Sequence, residues 1–375
     1  MKIPPPHENP DSSRIESLDV LKAFCAFGVV YIHCGVPTFA DEVINAMSRV
    51  AVPLFLMVTG FYFERTYAKG RVADAVRKLL GMLCVAIPLY WLKDLAFLNM
   101  KYSVVVGVLL VCMITGFCFV QTHRESRVVD VLKKLFWIFC VVVASVYSVM
   151  GDSQGFLRFL ALGWCPLAAH LWYLHAAMLA LIMLWGFRRR NCMTWAYVLA
   201  ILFLVACDGL SFLKKCDAYR HFLFMGFPYM VLGYWISRYW HIVSVRWEQW
   251  MNMWSVCVAY GLLFLEFYLY RYFDLFPCRD HYIMLTGLVF CLFVVAVRWP
   301  HWGAGTWMAK VGRRYSAQIY LWHMMFIAPV NVCLIKAGYP NTAMRLPQAV
   351  LVYAVTWAAV ACISVASRLI KERAQ

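Results

Sequence analysis

The sequence predicts an all-α integral membrane protein, a polytopic helical bundle with almost no soluble domain. Of its 375 residues 63% are hydrophobic and only 14% are charged, whereas ordinary soluble domains carry about 25% charged residues. The apolar residues come in blocks of about 18 to 21, the length that crosses about 30 Å of hydrocarbon at 1.5 Å per residue. Helices are the expected form of these blocks, because unpaired backbone groups are costly in lipid.

Twelve such blocks follow one another between a tail at 1–16 and a tail at 369–375, so that 17–368 forms one membrane domain. They lie at about 17–35, 44–64, 79–97, 102–120, 131–150, 170–187, 194–213, 219–237, 251–271, 280–298, 315–332 and 348–368. The stretch between the fifth and sixth blocks, at about 151–169, is partly apolar. It is interpreted either as a re-entrant piece or as a loop on the membrane surface.

The net charge of +16 has an explanation in topology. With the N-terminus inside, about 23 of the Lys and Arg residues fall in inside stretches and about 9 in outside loops, the bias typical of membrane proteins. We therefore expect both termini in the cytoplasm and no nucleic-acid partner. The N-terminal stretch lacks the pattern of a cleaved signal peptide, so the first block is expected to be retained.

The motifs of several enzyme classes are missing. Most of the 15 cysteines lie in apolar blocks, where cysteine behaves as a small hydrophobic residue. No pair or cluster has the spacing of zinc ligands, so no metal site is expected. A serine hydrolase, a zinc protease and a nucleotide-driven pump are equally unsupported, because no GxSxG, HExxH or phosphate-binding loop occurs in a usable setting.

Ionisable residues mark the first block, SLDVLKAFCAFGVVYIHCG. Lys22 and His33 are eleven positions apart, which places them on one helix face about 16 Å apart along the axis. Asp19 and Lys22 are three apart and can pair. Such groups inside a membrane helix are functional candidates. The alternatives are an interfacial Asp19–Lys22 pair and an outer-interface histidine.

The second block, SRVAVPLFLMVTGFYFER, begins with Arg49 near its outer end. A tight hairpin would bring Arg49 towards His33, where it could keep the imidazole neutral or hold an anion; the alternative is an anchoring role at the outer edge. Pro53 and Gly60 permit a kink and close packing. The basic loop that follows, with Arg77 and Lys78, fits either cytoplasmic topology or a surface for phosphates.

A polar stripe runs through GRRYSAQIYLWHMMF near the end of the chain. Ser316, Tyr320 and His323 share one helix face, because they are spaced by four and seven residues. Such a stripe in an apolar helix suggests a cavity, and an interhelical hydrogen-bond seam is the alternative.

Five stretches, in order, resemble the membrane acyltransferase-3 family, which includes bacterial polysaccharide and peptidoglycan O-acetyltransferases. They are RIESLDVLKAFCAFGVVYIH, with a basic residue eleven positions before an essential histidine, then SRVAVPLFLMVTGFYF, HLWYLHAAML (170–179), RHFLFMGFPYMVLGYWISR (220–238) and GRRYSAQIYLWH (312–323).

Two features depart from the family pattern. The family commonly carries an Arg-x-x-Arg pair leading into its third helix, but here Asp74 stands at the first position, before Arg77 and Lys78. The family has about ten core helices, so the stretch at 98–150 is interpreted as an inserted helix pair that brings the total to twelve.

The resemblance implies a multi-pass protein of the bacterial plasma membrane that moves an acyl group, usually acetyl from acetyl-CoA, to a hydroxyl of a cell-surface or lipid-linked carbohydrate. Acyl-CoA is then a co-substrate and no cofactor is bound. The implied catalytic residues are His33 as general base with Lys22 and Arg49. Arg77, Lys78 and Arg313 would bind the donor, and the tunnel and acceptor site would be lined by Asp19, Trp172, Tyr173, Arg220, Ser316, Tyr320 and His323. For Trp172 and Tyr173 plain packing is the alternative.

A transporter or exporter of a small polar solute or acylated product is the alternative function, since intramembrane His, Lys and Arg also mark substrate pathways. Cleavage of acyl-CoA distinguishes the two.

Overall fold

The structure, a computed structural model, describes residues 14–34, 38–98, 170–212, 220–246, 249–273, 281–339 and 345–373. These residues form helices joined by turns, with no strand among them, which confirms the predicted all-α class. The helices are α1 (Glu16–His33), α2 (Phe39–Ser48), α3 (Ala51–Phe61), α4 (Phe63–Ala68), α5 (Val72–Leu98), α6 (Trp172–Arg189), α7 (Met193–Phe212), a π-helical turn (Phe222–Gly226), α8 (Phe227–Arg238), α9 (Trp240–Arg246), α10 (Met253–Tyr272), α11 (Ile283–Arg298), α12 (Trp307–Arg314), α13 (Ser316–Lys336) and α14 (Arg345–Arg373).

Several helices are long and apolar enough to cross a membrane. In the described part of the chain these stretches are Phe39–Phe61, Met193–Leu210, Met253–Tyr272, Ser316–Lys336 and Leu346–Ala366, and α11 is a shorter apolar helix. The chain is thus a multi-pass membrane protein. The predicted blocks at 102–120 and 131–150 and the loop at 151–169 lie outside the described residues, and the total of ten to twelve spans stays a prediction.

The bundle has two distinct ends, which follow from contacts between the ends of helices. α1 starts beside Pro300, whose carbonyl accepts from the Glu16 amide at 2.8 Å. We call this end of the bundle the basic end, because it carries Arg14, Arg65, Arg77, Arg188 and Arg238. α1 finishes at His33, and the histidine end carries His33, Arg49, His170, Trp172 and Arg220. α3 and α6 return from the histidine end to the basic end, where Arg188 of α6 pairs with Glu64 at 2.8 Å.

α1 is the central helix of the bundle. It contacts α2, α3, α11, α12, α13 and α14, and Ala26, Val30 and Tyr31 are fully buried. Its first turn carries Glu16 and Asp19, and negative charge there complements the helix dipole. Burial on almost every side explains why α1 is apolar around its whole circumference apart from its few ionisable groups.

The predicted second block is divided into α2, α3 and α4. Thr38 caps α2 by accepting from the Asp41 amide at 3.2 Å, and Tyr31 of α1 donates to Asp41 at 2.6 Å. The chain turns at Arg49–Val50 before α3 begins. Because this turn is anchored beside the last turn of α1, Arg49 is held at the histidine end.

Glycines allow two pairs of helices to touch backbone to backbone. A Cβ on Gly60 of α3 would lie 1.8 Å from the carbonyl oxygen of Met230, and a Cβ on Gly233 of α8 would lie 2.1 Å from that of Met57. A Cβ on Gly312 of α12 would lie 1.7 Å from the backbone carbonyl oxygen of Asp19 in α1. Close approach of this kind is the usual way in which membrane helices gain packing energy, and the expected close packing at Gly60 is confirmed.

Candidate active site

A cavity of about 300 Å³ lies at the histidine end and collects ionisable side chains from separate parts of the chain. We call it the histidine cavity. Its walls come from the end of α1, the Arg49 turn and start of α3, the residues before α6, the π-helical turn and α13. They consist of Val29, Ile32, His33, Arg49, Val52, Pro53, His170, Trp172, Arg220, Met225 and Tyr320.

Three histidine rings meet at this level of the bundle. The ring of His33 lies 5.2 Å from that of His323 and 6.1 Å from that of His170, measured between centroids, and His170 and His323 are 5.5 Å apart. The described residues provide no hydrogen bond to His33, so its ring nitrogens remain open to a substrate. The described residues contain no group of His, Cys, Asp and Glu arranged to hold a metal ion.

The tautomer of His323 follows from its hydrogen bonds. Its Nδ1 lies 2.8 Å from the Tyr320 carbonyl oxygen and 3.2 Å from that of Ile319. Because a carbonyl can only accept, Nδ1 carries the proton and Nε2 presents a lone pair. Nε2 is buried and has no hydrogen-bond partner. This fully buried ring therefore offers an acceptor beside His33.

Arg49 is held in place by Asn45, one helical turn earlier. Its Nε and Nη2 donate to Asn45 Oδ1 at 3.0 and 2.7 Å, and the Asn45 amide donates to the Ile32 carbonyl at 3.4 Å. Asn45 thus ties the guanidinium to the turn of α1 that ends in His33. Arg220 lines the same cavity, so two positive groups face the space beside His33.

Tyrosines fix the backbone and rings behind the histidines. The Tyr320 hydroxyl donates to the carbonyl of His170, and the Tyr90 hydroxyl donates to the carbonyl of Leu321 at 2.7 Å. The Tyr90 ring also lies edge-on to His170, with centroids 4.6 Å apart. Since both tyrosines are buried, they hold the site rigid and apolar around its polar centre.

Lys22 and Asp19, predicted with the site, are not beside His33. Asp19 is 4% exposed and accepts from Lys22 and from Arg14, each at 2.7 Å. The predicted Asp19–Lys22 pair is therefore confirmed. Lys22 stands eleven positions before His33, about 16 Å along the axis, so it lies near the basic end, away from the histidine cavity.

The residues predicted to bind the donor lie at or near the basic end. Arg77 pairs at 2.8 Å with Asp74. Asp74 is the residue that stands where the family pattern has an arginine. Lys78 and Arg313 are exposed, and Arg313 follows Gly312, which packs against Asp19 of α1. Their assignment to the donor stays a prediction.

Ser316 and Tyr173, also predicted, do not line the histidine cavity. The Ser316 hydroxyl donates at 2.7 Å to the carbonyl of Gly312, four residues earlier, so its hydrogen bond is local. The Tyr173 ring packs between Phe55 and Tyr320, with centroids 6.0 and 5.0 Å away. Trp172, in contrast, faces the cavity.

Three contributors were missed by sequence reasoning: His170, Tyr90 and Asn45. His170 had a signal, because a histidine directly precedes the Leu-Trp-Tyr-Leu stretch at the same end of its block as Trp172. Tyr90 had none, since its partners Leu321 and His170 come from distant segments. Asn45 was overlooked, although its partner Arg49 is only one helical turn away.

A separate ion pair joins α4 to the end of α6 at the basic end. Arg188 donates to Glu64 through Nη2 at 2.8 Å and through Nε at 3.1 Å. This hydrogen-bonded guanidinium lowers the pKa of the Glu64 carboxyl below its ordinary value of 4.5. The bidentate geometry is the strong form of such a pair.

Comparison with known proteins gives one match. A family model described as an acyltransferase domain, that of the acyltransferase-3 family, matches residues 15–367. Searches of the curated proteins and of the solved structures found no significant match to the chain.

Proposed function

The chain belongs to the acyltransferase-3 family and is a membrane acyltransferase; from this premise we propose that it transfers an acetyl group from acetyl-CoA to a hydroxyl of a cell-surface or lipid-linked carbohydrate. The observation that carries the proposal is the histidine cavity. His33, His170, Arg49 and Arg220 line it together, and the buried ring of His323 lies 5.2 Å from that of His33.

His33 is the proposed general base. A ring nitrogen takes the proton of the attacking hydroxyl, whose oxygen bonds to the thioester carbonyl carbon. The carbon–sulfur bond then breaks, and the leaving thiolate takes the proton back from the imidazolium. A positioned base of this kind contributes about 10² to 10⁴ in rate. The open ring nitrogens of His33 and its position on the cavity wall support this role.

Arg49 and Arg220 are proposed to stabilise the negative charge that develops on the carbonyl oxygen during attack. Fixed positive groups in a water-poor site act strongly on such charge without having to reorganise. The two bonds from Arg49 to Asn45 hold its guanidinium in one orientation. His323, whose Nε2 lone pair is buried beside His33, is proposed as a positioning residue that orients the His33 ring.

The donor is proposed to enter from the basic end, which we assign to the cytoplasm of a bacterial cell, with both termini on that side. Exposed cations there, including Lys78 and Arg313, suit the phosphates of acyl-CoA. The thioester arm then has to reach past Lys22 towards His33 along about 16 Å of α1. Lys22 and Asp19 are proposed to line this route.

The test is acetyl transfer by the purified protein in nanodiscs, with labelled acetyl-CoA and extracted cell-surface glycans. We expect release of free thiol and labelled acetyl ester on the glycan, both dependent on the acceptor. Absence of thiol release with every donor and glycan, together with uptake of a labelled solute into proteoliposomes, would favour the transporter instead.

A further inference from the structure

A second and larger cavity lies on the side of the bundle, apart from the histidine cavity. It is a groove of about 730 Å³ between α1, the α2–α3 turn, α10 and α11. We call it the lateral groove. It follows α1 from Ser17 to Gly28, a length of about 16 Å, and so runs along the helix axis. Phe24, Met253 and Trp302 stand at its rim with 50%, 60% and 62% of their surfaces exposed.

The walls of the lateral groove are suited to hydrocarbon. None of the described residues that line it is charged. The hydroxyls of Ser17 and Ser48 are already engaged, since Ser17 donates to the Ala296 carbonyl and Ser48 to the Ile44 carbonyl at 2.7 Å. A polar ligand would find few partners here, whereas an alkyl or prenyl chain would bury its whole surface.

The end of the lateral groove nearest Gly28 adjoins the histidine cavity at the Arg49–Val50 turn. Ser48 and Val50 line the groove, whereas Arg49, between them, lines the cavity. The division continues along α1, where Phe27 and Gly28 line the groove while Val29 and His33 line the cavity. A molecule whose chain lies in the groove with its head group at the Gly28 end therefore has that head group beside the Arg49 turn.

We propose that the lateral groove binds the hydrocarbon chain of a lipid-linked sugar acceptor, with the sugar placed at the histidine cavity across the Arg49–Val50 turn. This inference rests on the proposed function and names its acceptor class. The direction is consistent, because the chain would run from the histidine end along α1 towards Ser17 and the basic end. The groove opens sideways, so the acceptor enters from the bilayer, while acyl-CoA arrives from the basic end.

The first test does not depend on catalysis. The probe is a prenyl-phosphate-linked N-acetylglucosamine with a diazirine in the prenyl chain, irradiated with the full-length protein in nanodiscs. We expect adducts on residues 21–28 and 253–260. The unlabelled prenyl-linked sugar should displace them, and excess phospholipid should not. Adducts elsewhere, or equal displacement by phospholipid, would overturn the proposal, the second outcome marking the groove as a site for ordinary membrane lipid.

A substitution in the groove provides the matched comparison. Ala296→Phe fills the wall between α1 and α11, and we expect about a tenfold lower adduct yield, which is the effect of about 1.4 kcal/mol in binding. Val205→Phe adds the same ring to the exposed face of α7 and should leave the yield unchanged. Equal yields in the two variants, each checked for a monodisperse fold, would contradict the groove assignment.

A second readout connects the groove to the reaction. With labelled acetyl-CoA, Ala296→Phe should lower transfer to the prenyl-linked sugar, relative to the same sugar phosphate without a chain, by about tenfold. An unchanged ratio would overturn the proposal. Adducts in the groove without acetyl transfer by the wild type to either sugar would support the lipid site and count against the proposed reaction.

Discussion

At the scale of single residues, the histidine cavity combines an open imidazole with fixed positive charge. His33 has no hydrogen bond from the described residues, whereas its neighbours are tightly held: His323 by two carbonyls and Arg49 by Asn45. Groups that are already oriented act on a transition state without a cost of reorganisation. The ring of His33 is thus left open to the cavity, while the groups around it are held in place.

Arg49 is the residue whose charge and geometry can be tested separately. Arg49→Gln should lower kcat by about 10² to 10³, the usual effect of losing one group that stabilises an oxyanion. Arg49→Lys should lose less, because it keeps the charge but cannot reproduce both bonds to Asn45. Steady-state kinetics with acetyl-CoA and a glycan acceptor provide the measurement. Equal kcat in Arg49→Gln and the wild type would remove Arg49 from the chemistry.

The Glu64–Arg188 pair predicts a defined dependence of stability on pH. Because Arg188 lowers the pKa of Glu64, the pair stabilises the fold above the unfolded pKa, ordinarily 4.5, and the contribution is lost as the pH falls through the lowered folded value. Thermal unfolding in detergent should therefore show a Tm advantage of wild type over Glu64→Gln at pH 7. The advantage should shrink below pH 4.5. A constant difference between pH 7 and the acid limit would contradict this account.

Residue types alone indicated part of this site. His33, Arg49 and His323 could be predicted because ionisable groups are rare in membrane helices and stand out there. Lys22 was grouped with His33 through the family resemblance and a shared helix face, and its predicted pairing with Asp19 is present near the basic end. His170 was missed because periodicity within one segment says nothing about how separate segments meet.

At the scale of helices, contact between α3 and α8 depends on two glycines at the same level. Each presents its Cα to a carbonyl of the other helix, at Met230 and Met57. α3 carries Pro53 and Val52 to the histidine cavity and α8 continues from the π-helical turn that carries Met225 there. The crossing therefore sets the distance between two walls of the site.

Gly60→Ala and Gly233→Ala should each lower the free energy of unfolding by about 1–3 kcal/mol or more, since the added methyl would overlap a backbone oxygen that cannot move aside. The control is Gly261→Ala in α10, where a Cβ meets nothing within 4 Å. It should raise helix stability by up to about 1 kcal/mol. Thermal unfolding monitored by circular dichroism separates the cases, and equal Tm values for Gly60→Ala and Gly261→Ala would be evidence against the crossing.

The break between α2 and α3 shows the limit of reading helices from sequence. The block at 44–64 was predicted from its apolar length, which does not locate the turn at Arg49–Val50. Two tertiary contacts flank this turn: Asp41 is bonded to Tyr31, and Gly28 packs against Ser48. The starts and ends of α6, α7 and α11, in contrast, could be predicted closely because apolar length determines them.

At the scale of the whole molecule, the two ends of the bundle differ in chemistry. The basic end collects cations that suit phosphates, the histidine end holds the proposed reaction centre, and the lateral groove opens between them towards lipid. This arrangement would let a water-soluble donor and a lipid-linked acceptor approach one site from different directions. Composition predicted the membrane class, since 63% hydrophobic residues cannot cover a soluble domain, but composition carries no information on where a groove opens.

Orientation is testable independently of activity. We expect both termini in the cytoplasm, because Lys and Arg gather in the stretches of the basic end. A green fluorescent protein joined to either terminus should be fluorescent, and an alkaline phosphatase at the same position should be inactive, in bacterial cells. The reverse pattern at either terminus would require a different topology and a different route for the donor.

The central claim is that His33 is the base of an acyl transfer. The most direct measurement is acceptor-dependent thiol release from acetyl-CoA in nanodiscs by wild type, His33→Ala and His241→Ala, the last removing an exposed histidine outside the cavity. With matched folding, we predict that His33→Ala loses about 10² to 10⁴ in rate and that His241→Ala matches the wild type. Release that survives His33→Ala at the wild-type rate would contradict the account.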